Sequence, residues 1–359
     1  MARSSTTFLN KWRSGRTTVL RVPTVFSKKV MTYALMLDAD DVLQNESRES
    51  FAVYRTAENT HLDNPINVAA IPQRSPFRYP GGKTWLVPYI RTWLSKQAQK
   101  PAVLIEPFAG GGIVGLTAGF EQLASHVILG EKDENVASVW TAILLGQSEW
   151  LASTIENFSL TRRNVLAVLG GQPLTQREKA FATILRNRVQ RGGIMAAGAG
   201  LVKNGENGRG LSSRWYPNTL GKRIRAIAEL KERFSFSHRD GFDLIEAYLD
   251  DERTAFFVDP PYTKAARRLY QHWQIDHRKL FSLLSRVKGD VLLTYDHTEE
   301  IENLAREYHF ETKTITMKNT HHAKMTELLV GKDLSWLTAA IVCRESMTRT
   351  HQASLALHP

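Results

Sequence analysis

Apolar positions along the chain come in short blocks, each closed by turn residues or a charge. In "PAVLIEPFAGGGIVGLTAGFEQL" (101–123) an apolar run meets three glycines, then apolar side chains recur at Ile113, Leu116, Phe120 and Leu123. That spacing predicts a strand, a loop and a helix. "HVILGE" (126–131) predicts a second short strand ending on Glu131, and "AFFVDPPY" and "VLLTYD" predict buried strands further on. The first of these must stop at Asp259, because Pro260 and Pro261 cannot donate to a ladder. "TKTITM" and "MTELLV" predict a terminal hairpin, with His321-His322 as its polar tip. Strands alternating with helices imply a largely parallel sheet covered on both faces, an α/β fold.

The pattern also divides the chain. Residues 1–74 show little periodicity and read as an irregular N-terminal extension, in which Met31 is a possible start of translation. Residues 75–140 and 236–335 carry the strand–helix alternation and read as one domain. Residues 141–235 read as a mainly helical insert, and 336–359 as a tail. Two helices stand out in the insert, one from "QREKAFATIL" and one over "NTLGKRIRAIAELKERF", with Leu220, Ile224, Ile227 and Leu230 on one face. Between them "GGIMAAGAGLVKNGENGRGLSSRWYP" holds two Asn-Gly turn signals and reads as a hairpin or loop.

Charge changes the picture most in that insert. Residues 141–235 hold 15 Lys and Arg against six Glu and no Asp, an excess of +9 within a chain whose net charge is +11. Such an excess points to a polyanionic partner. A single cysteine, Cys343, excludes an intramolecular disulfide and any multi-cysteine metal site, and fits a reducing, cytoplasmic setting. No apolar run approaches the roughly 20 residues needed to cross a bilayer. The first 30 residues have seven basic groups and no acid, but lack the apolar core of a secretory signal.

Three stretches carry candidate chemistry. Gly110, Gly112 and Gly115 satisfy G-x-G-x-x-G between a strand and a helix, and Glu131 ends the next strand where a ribose partner belongs. The acid Glu106 ahead of the glycines would repel a pyrophosphate but suits the cationic end of S-adenosylmethionine. Gly82-Lys83-Thr84 resembles the end of a phosphate loop, but Phe77 stands where that loop needs its first glycine. At the carboxyl end of its strand, Asp259-Pro260-Pro261-Tyr262 presents a carboxylate and a ring on a rigid turn, where open α/β sheets bind ligands.

Taken in order, "FRYPGGK", "EPFAGGG", "GEKDEN", a basic insert, "DPPY" and "TELLV" resemble the Dam-type (D12 class) DNA adenine-N6 methyltransferases over roughly residues 75–332. The resemblance implies a Rossmann-like S-adenosylmethionine-dependent methyltransferase sheet with a reversed terminal hairpin and an inserted, mainly helical target-recognition domain. It implies that Tyr79 and Lys83 lie against the cofactor or the reaction pocket. It gives Glu106, Phe108, Gly110 and Gly112 to the methionine side, Glu131 to the ribose and Asp240 to the adenine of the cofactor. Asp259 and the Pro260 carbonyl would accept from the target adenine amine, and Tyr262 would stack on the flipped base. Arg186, Asn187, Arg188, Arg191, Lys203 and Arg209 of the insert would meet double-stranded DNA.

The implied chemistry needs no metal. A monomer acting on duplex DNA is the expected state, with a cognate restriction enzyme as an admissible partner. The chain departs from enzymes that methylate GATC: after Asn187-Arg188 it reads "VQRGGIMAAG" rather than a Phe-Asn-Gly-type string, so the recognition sequence stays open. An RNA adenine or DNA cytosine-N4 methyltransferase, a nucleotide-dependent oxidoreductase and a catalytically silent DNA-binding protein remain as alternatives.

Overall fold

The computed structural model describes residues 71–78, 82–172, 175–193, 195, 199–205, 208–261, 275–318 and 324–337. All of them fall in one compact unit, Asn59–Pro359. The extension proposed for 1–74 therefore lies almost wholly outside the described residues, as do the tail beyond 337, Tyr79, Tyr262 and His321-His322.

The predicted alternation is present. A helix α1 (Val87–Ser95) leads to β1 (Val103–Glu106), α2 (Ile113–Phe120), β2 (His126–Gly130) and α3 (Glu134–Leu144). Four helices follow: α4 (Ser148–Asn157), α5 (Arg162–Gly170), α6 (Gln176–Val189) and α7 (Pro217–Glu229). The chain then returns to the sheet as β3 (Phe234–Ser237), α8 (Gly241–Glu246), β4 (Thr254–Val258), α9 (His277–Arg286), β5 (Asp290–Asp296), α10 (Glu299–Glu307), β6 (Glu311–Lys318) and β7 (Lys324–Gly331).

The seven strands lie in the order β3-β2-β1-β4-β5-β7-β6. The first five are parallel, while β7 runs antiparallel to both β5 and β6, which is the predicted terminal hairpin. The order reverses between β1 and β4. That switch point opens a crevice at the carboxyl ends of the two strands, where open α/β sheets seat ligands.

Strand residues alternate between two cores, as a period-2 backbone requires. Leu104, Leu129, Ala255, Phe257 and Leu292 face one core with α1, α2 and α3. Ile105, Ile128, Phe256, Val258 and Leu293 face the other with α9 and α10. β4 is buried along its whole length, which explains its unbroken apolar run.

The helices of the insert are not a detached body. Leu151, Ile155, Phe181, Ile184, Leu220, Ile224 and Ile227 belong to the same apolar cluster as Trp140 and Leu104. Local signals set the ends of these helices. Thr175 and Glu178 form a reciprocal capping box at the start of α6. Pro217 opens α7, where a missing N–H costs nothing. The loop after α6 starts as a hairpin, with Arg191 N donating to Gly200 O at 3.1 Å and a Gln190–Leu201 bridge.

Candidate active site

The glycine loop is built around close contacts. Gly110 and Gly112 have φ of +47° and +63°, in the left-handed region that favours glycine. The indole N–H of Trp140 donates to Gly110 O at 3.0 Å, and a Cβ on Gly112 would lie 2.9 Å from that ring. The loop is thus pinned with its backbone close to the crevice.

Two carboxylates flank it from the ends of neighbouring strands. Glu106, 3% exposed, turns back so that its Oε2 accepts from Gly115 N at 2.7 Å. Burial pushes its carboxyl up to about 8; the Gly115 amide opposes this, Asp259 adds to it, and Lys83 pulls it down. Glu131 accepts from Gly110 N at 3.0 Å and Asp133 N at 2.8 Å, tying the loop to the start of α3. Burial raises Glu131 as well, against the Asp133 amide bond.

A third wall comes from the end of β3. Asp240 caps α8 by accepting from Phe242 N and pairs with Lys132 at 2.7 Å. Phe108 meets Phe242 edge-on, with centroids 6.3 Å apart, and a Cβ on Gly241 would strike Phe108 at 2.6 Å. Glu106, Phe108, Gly110, Gly112, Glu131 and Asp240 therefore gather around the carboxyl ends of β1, β2 and β3.

Beside this wall, across the switch point, is a buried polar cluster. Lys83, 3% exposed, places its Nζ 3.0 Å from Asp259 Oδ1 and 3.7 Å from Glu327 Oε2. Burial alone would lower the Lys83 ammonium, but Asp259 and Glu327 outweigh it, so the net direction is upward. The hydroxyl of Thr294 donates to the same Asp259 Oδ1 at 2.8 Å. Asp259 thus stands at the exit of β4 with its Oδ1 held from two sides. Pro260 is buried directly after it.

Thr294 and Glu327 were not singled out as site residues by sequence reasoning. A usable signal existed for Glu327, an acid inside the apolar run "TELLV" that demands a buried cation. The register of β5 and β7 places it opposite Asp296. Thr294 gave no such signal, since threonine is ordinary in a strand.

The proposed DNA-facing residues divide. Arg191, Lys203 and Arg209 are exposed and Arg186 partly so, around the hairpin that follows α6. Asn187 and Arg188 are 1% and 6% exposed and turned inward, which corrects the expectation that both offer their side chains at the surface. Asn187 accepts from Arg78 N at 2.8 Å and donates to Arg78 O at 2.9 Å and Gly193 O at 3.0 Å. Arg188 donates to Pro76 O. The Asn-Arg pair at the end of α6 clamps the segment that leads to Lys83.

The sheet order with its antiparallel β7 and the glycine loop after β1 are those of an open α/β fold. More particularly, residues 79–159 match the model of the D12 class N6 adenine-specific DNA methyltransferases, a stretch that includes Lys83, Glu106, the glycine loop and Glu131. Among curated proteins, none matches the chain. Among solved structures, the chain is similar to a candidate RNA methyltransferase from Pyrococcus horikoshii, with 12% identity over 76% of this chain and 91% of that one and a TM-score of 0.33. It is also similar to precorrin-6y C5,15-methyltransferase from Geobacter metallireducens, with 8% identity over 68% of this chain and 86% of that one and a TM-score of 0.29.

The donor set fits the methyl donor of this class. Paired carboxylates beside an open glycine backbone would repel a pyrophosphate, but they suit a cationic amino acid end and a ribose diol. No helix among the described residues is long and apolar enough to cross a membrane.

Proposed function

We propose that this chain transfers the methyl group of S-adenosylmethionine to the N6 amine of an adenine flipped out of duplex DNA. The observation that carries this reading is the Asp259 carboxylate, held by Lys83 and Thr294 at the exit of β4 and followed at once by two prolines. The D12 match over 79–159 and the excess of basic charge in 141–235 support the substrate class.

In this reading Glu106, Phe108, Gly110 and Gly112 hold the methionine side of the cofactor, Glu131 its ribose hydroxyls and Asp240 its adenine. When bound, the cofactor supplies an electrophilic sulfonium methyl. An adenine amine is a poor nucleophile because its lone pair is conjugated with the ring. Asp259 Oδ2 and the Pro260 carbonyl accept its two N–H bonds, which favours a pyramidal nitrogen with an available lone pair. Lys83 and Thr294 keep the carboxylate from rotating, so the acceptor geometry is set before the substrate arrives. The methylated nitrogen is at first a cationic ammonium and strongly acidic, so even a carboxylate beside Lys83 can take its departing proton. The resemblance assigns Tyr79 to the cofactor or reaction pocket and Tyr262 to the flipped base; both lie outside the described residues.

The test is nucleoside mass spectrometry of unmethylated genomic DNA after incubation with the protein and isotope-labelled S-adenosylmethionine. Labelled N6-methyladenine is the expected product, and sequencing of that DNA gives the recognition site. N4-methylcytosine would overturn the base assignment while keeping the chemistry. No labelled nucleoside, with cofactor binding demonstrated, would overturn the DNA substrate.

A further inference from the structure

Residues 75–78 run between two parts of the molecule and are bonded to both. On one side stands the glycine loop. The Ser75 hydroxyl donates to Gly111 O at 2.5 Å and accepts from Phe77 N at 3.1 Å. The Phe77 ring packs on Trp140 with centroids 5.9 Å apart, and the Trp140 indole in turn donates to Gly110 O at 3.0 Å. Two successive carbonyls of the loop are thus held through this one segment.

On the other side stand α6, α7 and the start of the hairpin. Arg223 on α7 donates to Ser75 O at 3.1 Å, and Arg188 on α6 donates to Pro76 O. Asn187 brackets Arg78, accepting from its N at 2.8 Å and donating to its O at 2.9 Å. Gly193 packs so closely that an added Cβ would lie 2.4 Å from Arg78 O. All of these contacts go to the backbone of 75–78, so a shift of α6 or α7 moves the segment itself. Ser75 is where the two sides meet, with its hydroxyl on Gly111 and its carbonyl on Arg223.

The insert end of this bridge is not fully satisfied. Arg188 Nε and Gln190 Oε1 are buried with no hydrogen-bond partner. Such atoms are costly, so a rearrangement that gives them partners has free energy to gain. The exposed Arg191 and Lys203 belong to the hairpin that starts at Gln190, so a nucleic acid held there acts on the same end.

We propose that residues 75–78 couple the nucleic-acid surface of the insert to the cofactor loop, with Ser75 as the positioning residue. A duplex that settles α6, α7 and the hairpin also settles Gly110 and Gly111, so the cofactor meets a loop already ordered. The cost of ordering the shared bridge falls on the first ligand, and the second binds without it. Coupling of this kind is reciprocal: the cofactor strengthens the duplex by the same factor. The inference rests on the function proposed above, but half of its test needs no DNA.

The experiment is isothermal titration of S-adenosylhomocysteine, the demethylated cofactor, which cannot turn over. It is titrated into the protein alone and into the protein saturated with an unmethylated duplex that carries the site read from the methylated product. Thermal melting verifies the folding of Ser75→Ala, Ser75→Thr and Arg223→Met. In the wild type the duplex is expected to tighten binding by about tenfold. Ser75→Ala without duplex should bind about three- to tenfold more weakly, and should lose most of the gain from the duplex. Ser75→Thr keeps the hydroxyl and should restore both. Arg223→Met frees Ser75 O without touching the loop. It should bind within about twofold of the wild type when alone, yet lose most of the gain.

A folded Ser75→Ala protein with wild-type affinity overturns the positioning role. A wild type whose affinity ignores the duplex overturns the coupling. So does a Ser75→Ala protein that binds more weakly but gains as much from the duplex, which leaves the hydroxyl a local support. If Ser75→Ala does not fold, Ser75→Cys, a weaker donor, is read in its place. If the chain methylates no DNA, the function proposed above and the coupling fail together, while the Ser75 variants still decide the positioning. If the wild type binds no S-adenosylhomocysteine, all three fail.

Discussion

Lys83 and Asp259 meet ammonium to carboxylate at 3.0 Å, and Thr294 donates to the same carboxylate oxygen at 2.8 Å. Two donors on one oxygen fix the plane of the carboxylate, and the rigid Pro260-Pro261 turn fixes its origin. A carboxylate constrained this way is suited to aligning a substrate amine. Asp259→Ala should therefore lower the single-turnover rate of methyl transfer by at least about 10³-fold, while the cofactor dissociation constant stays within a few-fold. Full activity in that variant would sink the mechanism.

Thr294→Val isolates the orienting contact, because it keeps the shape of a fully buried side chain and removes only the donor. Expected is a fall of about 10- to 100-fold in single-turnover rate with cofactor and DNA affinities unchanged. A variant that loses DNA affinity instead, with its rate intact, would mean that the hydroxyl serves packing and not alignment.

The carboxyl of Glu106 predicts a pH dependence. Burial raises it from an ordinary value near 4.5 to about 8 in the folded protein. A carboxyl raised on folding contributes stability below pH 4.5 that is lost progressively as pH climbs to about 8. The cofactor-free protein should melt at a falling temperature across that window, and Glu106→Gln should flatten the fall. A cationic cofactor favours the ionised carboxylate, so its binding should release a proton and strengthen by up to tenfold per pH unit until about pH 8. Calorimetry at pH 6.5 in two buffers of different ionisation enthalpy reads that proton. Identical heats in both would exclude the linkage.

Asn187 separates support from substrate contact. All three of its hydrogen bonds go to backbone atoms of Arg78 and Gly193, inside the protein. Asn187→Ala should cost about 2–3 kcal/mol in denaturant unfolding, because buried backbone groups lose their partners. The salt slope of DNA binding should stay as it was. A shallower slope with unaltered stability would return Asn187 to the DNA surface.

Much of this was legible in the chain, and the parts that were not have physical causes. The glycine loop, the strand ends at Glu106 and Glu131 and the terminal hairpin announce themselves through local rules: turn chemistry, period-2 burial and prolines that stop a strand. The Lys83–Asp259–Glu327 cluster depends on three distant segments meeting, and no periodicity encodes such a meeting. The insert misled in one respect. Asn187 and Arg188 stand in a basic helix, but they lie on the face that packs against residues 76–78, and charge counts do not tell which face is covered. Arg223 and Arg225 make the same point, since two arginines on one helix go to a backbone carbonyl and to two glutamates.

The packing of α2 on the sheet offers a last test. Gly115 sits where an added Cβ would lie 2.5 Å from Leu129 Cδ2, 2.7 Å from Glu106 Oε2 and 3.1 Å from Val127 Cγ1. Leu129 and Val127 are fully buried strand residues with no room to retreat, so the helix or the Glu106 carboxylate has to move. Gly115→Ala should therefore destabilise the protein by about 1–3 kcal/mol, despite the higher helix propensity of alanine. It should also weaken the cofactor, because the Gly115 amide that holds Glu106 shifts with the helix. Gly170→Ala is the control: nothing lies within 4 Å of its Cβ, and the change should be neutral or slightly stabilising. Differential scanning calorimetry with and without S-adenosylmethionine measures both effects. A Gly115→Ala protein as stable as the wild type, and equally stabilised by the cofactor, would show that α2 does not set the position of Glu106.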